Sequence, residues 1–312
     1  MDVALGVLLP TREALLAGRP ATAVVDLAVR AEAIGFASAW VGDSLVARPR
    51  FEPLTVLAAV AARTSRLTVG TAVILPALRD PLLLAHAIAT LDHLAGGRLV
   101  VGVGAGAAVQ ATEDEFAAVG IPYGERIARL YETVALWRAL WDGPVERFDG
   151  RFWQHEGLAL EPRPHQPGGP PVWIAREGPK TLERAGAGFH GWLPFSATPE
   201  GFAAGLAVVR KASADAGRDP AAVTAAAYLT VTVDDDEGRA AEEQRAFMEQ
   251  YYGVPYDFMR AFQGCAAGSV DTVAGWLRAY VEGGAEHIVL RFGSGDPETQ
   301  LERVAPLLAA LE

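Results

Sequence analysis

Short apolar, β-branched runs alternate along the chain with longer alanine-rich stretches whose apolar positions recur every three to four residues. The runs at 3–9, 37–42, 67–75, 99–104, 171–175, 191–195, 224–233 and 287–292 predict strands. The stretches at 21–35, 53–63, 81–95, 123–141, 179–187, 199–216, 269–283 and 297–311 predict helices. Asp80 before Pro81, and Asp296 before Pro297, read as acidic N-caps followed by a proline in the first turn, where its missing N–H is not needed. Strands flanked on both sides by helices imply parallel pairing with both sheet faces covered. Eight strand–helix pairs in 312 residues predict an α/β fold, a (β/α)8 barrel forming a single domain over 1–312.

One stretch points elsewhere at first. "GRLVVGVGAGA" carries Gly102-x-Gly104-x-x-Ala107 after an apolar run, close to a dinucleotide-binding fingerprint. That fingerprint belongs at the first strand–helix turn of its fold, whereas these glycines follow the fourth strand of a regular series. No acidic residue closes a following strand. The glycines are therefore read as lying at the active-site end of a barrel strand.

Insertions are expected after the fourth and seventh strands, at about 107–122, 145–162 and 234–268. The middle one reads as a hairpin turning at Asp149-Gly150. The last begins as a charged helix. It continues over 247–263 as an aromatic stretch holding Phe247, Tyr251, Tyr252, Tyr256, Phe258 and Phe262. That stretch suits a wall over the barrel mouth or an oligomer contact.

Composition narrows the chemistry. Lys and Arg number 27 against 38 Asp and Glu, a net charge of −11 that argues against nucleic acid as a partner. Cys265 is the only cysteine, so neither an internal disulfide nor a cysteine metal cluster is expected. No apolar run is long enough for a membrane span, and the first residues lack a signal-peptide pattern, which predicts a cytoplasmic protein. Metal motifs, a phosphate-binding P-loop and a serine-nucleophile elbow are all missing. His86 and His93 sit seven residues apart in an apolar helix, a spacing unsuited to a metal pair. Small residues at strand ends and few acid–base groups point to a bound cofactor that supplies the reactivity.

Several segments together carry a family resemblance: "GTAVILPALRDPLLLAHAIATLDHLAGGRLVVGVGAG", "EFAAVGIPYGERIARLYETVALWRALW", "FDGRFWQHEGLALEPRPHQPGGPPVWIA", "GPKTLERAGAGFHGWLP" and "GGAEHIVLRFG". In this order the chain resembles the bacterial-luciferase-like superfamily of flavin- and deazaflavin-dependent oxidoreductases, along essentially its whole length. The segment order is similar to the subgroup using the deazaflavin coenzyme F420, and FMN-dependent relatives share much of it. The resemblance implies a non-proline cis peptide at Ala72-Val73, in a strand-three bulge supporting the flavin-type ring. It implies that Gly104, Ala105 and Gly106 let backbone approach the ring edge, with Gln110 within reach of the cofactor. It places the cofactor phosphate at the helix start after strand five, where Arg176, Glu177, Gly178 and Lys180 precede or open the helix begun by Pro179. No metal is implied.

Departures from the family pattern qualify the reaction. Asp43-Ser44 stands at the end of strand two, with serine where many deazaflavin-dependent members have histidine. These two are the candidate catalytic residues, but a serine hydroxyl does not exchange a proton near neutrality as imidazole does. Ala107 and Ala108 occupy a position where some dehydrogenases have glutamate, and His190 replaces an aspartate found in many relatives. Trp192, Phe195 and Arg291 are the candidate substrate contacts, and the lining favours an apolar or aromatic small molecule. Arg291 reads equally as a grip on an anion or as a salt-bridge partner of an acid in the last insertion. The favoured function is a deazaflavin-dependent reductase or dehydrogenase. The alternatives are an FMN-dependent monooxygenase served by a partner flavin reductase, and a non-catalytic flavin-binding protein. The resemblance also implies a homodimer, with 53–63 and 81–95 as candidate interface helices.

Overall fold

The computed structural model describes residues 3–311. Its strands are β1 (Ala4–Leu8), β2 (Ser38–Val41), β3 (Thr68–Ile74), β4 (Leu99–Val103), β5 (Val145–Asp149), β6 (Gln154–Leu158), β7 (Val172–Ile174), β8 (Gly191–Trp192), β9 (Thr224–Val233), β10 (Cys265–Gly268) and β11 (His287–Phe292). The main sheet runs β10-β9-β11-β1-β2-β3-β4-β7-β8, and β8 also pairs with β9. Without β10 this is a ring of eight strands, a (β/α)8 barrel whose strands all coincide with apolar runs in the sequence.

Differences from expectation have local causes. β8 is shorter than the apolar run 191–195, because Pro194 has no N–H to continue the ladder after Leu193 donates to the Ile174 carbonyl. The final helix breaks after Val304 and resumes at Leu307–Ala310, the residues between being Ala305 and Pro306. The hairpin β5–β6 forms, but Asp149 still pairs with Gln154, so the turn is the four residues Gly150 to Trp153. Glu132 sets it, its carboxylate accepting from the backbone N–H groups of Arg151, Phe152 and Trp153. Helices Thr11–Leu16 and Gln110–Ala118 and strand β10 were not expected.

The chain divides into two compact units, each considered by itself below. One holds the described residues up to Pro10, Asp26–Trp40 and everything from Trp173 on; the other holds Thr11–Val25 and Val41–Val172. In the first, a polar thread runs through an aromatic core. Trp40 Nε1 donates to Ser38 Oγ at 2.7 Å, and Ser38 Oγ lies 2.8 Å from His287 Nε2. The His287 ring meets those of Trp40 and Trp173 edge-on, at 5.5 and 5.4 Å. Gly6 makes room for this thread, since a Cβ there would fall 2.0 Å from Ser38 Oγ. Ser38 can accept the indole hydrogen and give its own to an unprotonated Nε2. Burial disfavours the imidazolium and pushes the His287 pKa down to about 4.

In the second unit, Phe116 of the Gln110–Ala118 helix packs with Leu75, Ala77 and Leu78 just beyond β3. Among the described residues no helix is long and apolar enough to cross a membrane, and no cluster of side chains could hold a metal ion.

His287 makes stability fall on acidification. The unfolded ring takes up a proton below pH 6.5 while the folded ring resists until about pH 4, so stability is lost across that window. The loss reaches about 3 kcal/mol. Urea denaturation of wild type and His287→Gln from pH 7 to 4 should show a shallower decline in the variant; parallel declines would refute this.

Candidate active site

In the unit containing β3 and β4, the end of β3 departs from regular pairing. The register with β4 shifts between Thr71 and Ile74, and the Ala72-Val73 peptide within the shift is cis. The bulge and the cis bond therefore stand where the sequence resemblance implied them. The β4 glycines are also required by the protein's own packing. A Cβ on Gly102 would lie 2.0 Å from the Thr71 carbonyl oxygen, and one on Gly104 would lie 2.5 Å from Val73 Cγ2. Gly106 has φ +78°, and its missing Cβ is faced by Thr112 Cγ2 at 2.7 Å. The space those glycines leave is filled by the protein's own bulge and helix. They allow β4 to close on the bulge, which in turn shapes whatever rests on it. Ala105 is buried, and Gln110 opens its helix exposed, its amide donating to Asp114.

Asp43 and Ser44, at the end of β2, are both committed. Asp43 takes Arg79 through both carboxylate oxygens and also accepts the Leu75 N–H at 2.9 Å. Its side chain is 2 % exposed. Ser44 donates to Glu115 Oε1 at 2.8 Å, and the same oxygen accepts the backbone N–H groups of Leu45, Val46 and Ala47 at 2.5, 2.8 and 3.2 Å. Glu115 is 1 % exposed and draws the 44–47 loop onto its helix. Both residues at the β2 end are thus hydrogen-bonded within the protein. Glu115 and Arg79 were missed. Both lie within the segments of resemblance, "PALRDP" and "EFAAVG", but pairing across more than 35 positions carries no local pattern.

In the other unit, the helix Pro179–Gly188 starts without a side-chain cap at Gly178, whose φ is +109°. By contrast the helices beginning at Pro53, Pro81, Pro199 and Pro297 are capped by Glu52, Asp80, Thr198 and Asp296. The first N–H groups at Gly178 are therefore not occupied by a cap, and Lys180 stands exposed in the first turn. Arg176 is half-buried, with its Nε lacking a hydrogen-bond partner. Glu177 is turned to Ser196, accepting from its N–H at 2.9 Å and its hydroxyl at 3.1 Å.

The expected substrate contacts separate. Trp192 is 1 % exposed, stacks on Phe202 of the Pro199–Asp215 helix and donates to the Arg176 carbonyl. It packs into the helix layer. Phe195 is half exposed, its ring 4.8 Å from that of Tyr228 on β9. Arg291 is 2 % exposed and sits in an aromatic box. Its guanidinium lies 3.6 Å from the Tyr251 ring centre, with Phe247 and Tyr252 beyond, and donates to Tyr252 Oη at 2.7 Å. The 247–263 stretch thus forms a wall attached to β11. Cys265 is no nucleophile, because burial pushes its thiol up to about 11.

The model of the luciferase-like monooxygenase family matches residues 3–287. The chain belongs to this family. Among curated relatives, the luciferase-like protein is 31% identical over 311 residues to F420-dependent glucose-6-phosphate dehydrogenase 1 of Rhodococcus jostii (strain RHA1), covering 89% of this chain and 90% of the relative. Among solved structures it is similar to an F420-dependent secondary alcohol dehydrogenase in complex with an F420-acetone adduct. There the TM-score is 0.86 over the whole of both chains at 21% identity, a likeness of fold. It is also similar to the monooxygenase RslO1 from Streptomyces bottropensis, with TM-score 0.79, 26% identity and 98% and 96% coverage.

Two substitutions test the local arguments. Gly104→Ala should destabilise by about 2 kcal/mol through overpacking, and Val73→Ala should restore the loss; Gly102→Ala, which meets backbone, should not be rescued by Val73→Ala. Equal rescue of both would refute the assigned clashes. Glu115→Gln should cost about 2 kcal/mol and open residues 44–50 to limited proteolysis, because one charged acceptor serves four donors. An unchanged cleavage pattern would remove Glu115 from that role.

Proposed function

We propose that this luciferase-like protein is a deazaflavin-dependent oxidoreductase of the F420 type, working as a reductase or dehydrogenase on a small molecule that is apolar or aromatic and uncharged. The observation that carries the reading is the F420-dependent relative, 31% identical over nine-tenths of both chains. Each unit, taken by itself, holds residues that suit part of such a cofactor. The β3 bulge with its cis peptide offers a rigid backbone surface for a planar ring. The uncapped helix start at Gly178, with Lys180 and the partnerless Arg176 Nε, offers donors for an anionic tail.

When bound, a reduced deazaflavin supplies hydride without using oxygen. The chain's own part is to orient the substrate, exclude water and deliver a proton. Ser44 in place of histidine, and an Asp43 held by Arg79, leave the β2 end without a base to take a proton from an alcohol. That favours reduction of C=C or C=N bonds over oxidation of the sugar phosphate named for the curated relatives. The half-exposed Phe195 beside Tyr228 supports an apolar or aromatic substrate. A cytoplasmic homodimer belongs to the same reading. Leu83 and Leu94, 73% and 52% exposed on the Pro81–Leu94 helix, support that helix as the contact.

Anaerobic titration with reduced F420 and reduced FMN, followed by air, separates the readings. Tight deazaflavin binding with no oxygen uptake is the expected result. Preferential FMN binding with a transient peroxide absorbance would replace it with the monooxygenase that the similarity to RslO1 suggests. Binding without turnover of any unsaturated substrate would leave a flavin-binding protein.

A further inference from the structure

In the unit that holds β8, β9 and β11, the rings of Trp40 on β2, Trp173 on β7 and His287 on β11 meet one another. Side chains from three separate strands converge in this way only inside the barrel, so this face of β11 is the interior. His287 pairs in register with Ala226 of β9, and Tyr228, two residues on, points the same way. Phe195 meets Tyr228 edge-on at 4.8 Å and is half exposed. It follows the carboxyl end of β8, the end of the barrel at which such folds do their chemistry.

The next residue is held in an unusual way. Ser196 is buried and has φ +21°, the one positive φ of a non-glycine among the described residues. A residue with a Cβ rarely adopts that conformation, which persists where the surroundings impose it. Glu177 Oε1 accepts the Ser196 N–H at 2.9 Å and its hydroxyl at 3.1 Å. Tyr280 Oη donates to the Ser196 carbonyl at 2.8 Å, and the Gly264 N–H donates to the Phe195 carbonyl at 3.1 Å. A Cβ on Gly264 would fall 2.7 Å from the Ser196 carbonyl oxygen, so that approach requires glycine. The Arg176 carbonyl, one residue before Glu177, accepts from Trp192 Nε1 at 2.9 Å. The loop after β7 thus grips the chain from Trp192 to Ser196 at both ends.

We propose that Glu177 is a positioning residue, which through Ser196 fixes Phe195 as the apolar wall that the substrate meets. The assignment rests on the deazaflavin reading and the apolar substrate proposed above. Both bonds to the carboxylate are charge-assisted, and together they take the N–H and the hydroxyl of the strained residue. They keep the Phe195 ring against Tyr228 at the barrel mouth, so an uncharged molecule finds its wall already in place. Preorganisation of this kind shows in the affinity for substrate. Glu177 is itself exposed, so replacing it leaves no buried gap.

The test places 4-fluorophenylalanine at position 195 of the full chain. Its fluorine resonance is followed alone, and then with saturating oxidised F420 during titration with cyclohexenone. Glu177→Leu should displace or broaden the resonance and weaken cyclohexenone roughly tenfold. Adding Ser196→Gly to Glu177→Leu should restore both, because glycine takes a positive φ without strain. Ser196→Val, with Glu177 intact, should displace the resonance as Glu177→Leu does, since a β-branched residue resists that conformation. A resonance that ignores Glu177→Leu, or one that stays displaced in the double variant, would overturn the assignment. So would a wild type that binds F420 while cyclohexenone leaves the Phe195 resonance unmoved. Failure of wild type to bind F420 would overturn the deazaflavin reading and the assignment with it.

Discussion

The contact between the glycines of β4 and the bulge of β3 decides what the neighbouring groups can do. With Thr71 carbonyl oxygen only 2.0 Å from where a Gly102 Cβ would be, β4 can lie there only as bare backbone. The bulge that results carries the chain out of register and frees the Leu75 N–H, which goes to Asp43. Arg79, a few residues on, closes on the same carboxylate. The acid at the end of β2 is thus engaged in fixing the backbone next to the bulge. Ser44 is consumed next to it, by a glutamate whose burial is tolerable only because four donors converge on it.

The alternation of apolar runs and amphipathic stretches was sufficient for the barrel, because each strand is buried on both faces and each helix on one. Where chain chemistry interrupts a pattern, the pattern overran: Pro194 ends β8 early and Pro306 splits the last helix. The bulge and the cis peptide at Ala72-Val73 were legible through the resemblance, since that segment carries the family's most extended match. The reason for the glycines was not. A missing Cβ announces that something comes close; whether that something is a ligand or Val73 depends on a register shift that no local spacing encodes.

Long-range polar partners were the least legible. Arg291 suited either an anion or an acid in the insertion, and the insertion is rich in acids. Its charge lies over Tyr251, while the acids at the start of the insertion have partners of their own, Asp234 from a buried position. Asp234 holds both Arg239 and Arg303, and Glu243 takes the Ser294 hydroxyl. The sorting follows from desolvation. Ring faces and a phenol oxygen stabilise the buried Arg291 guanidinium, and two arginines stabilise the buried Asp234 carboxylate. Trp192 went the other way for a similar reason: its indole N–H needs an acceptor, finds the Arg176 carbonyl, and so the ring turns towards Phe202 and the helices.

A cation kept under aromatic rings has a consequence for substrate choice. Were Arg291 open to solvent, a permanently anionic substrate would pair with it, and phosphate would be the natural ligand. Phe247, Tyr251 and Tyr252 roof it, and its guanidinium donates to the Tyr252 oxygen. An anionic group could reach the guanidinium only if these rings parted. The same residue type at the same strand end can therefore serve opposite ends, and the difference lies in the insertion that covers it.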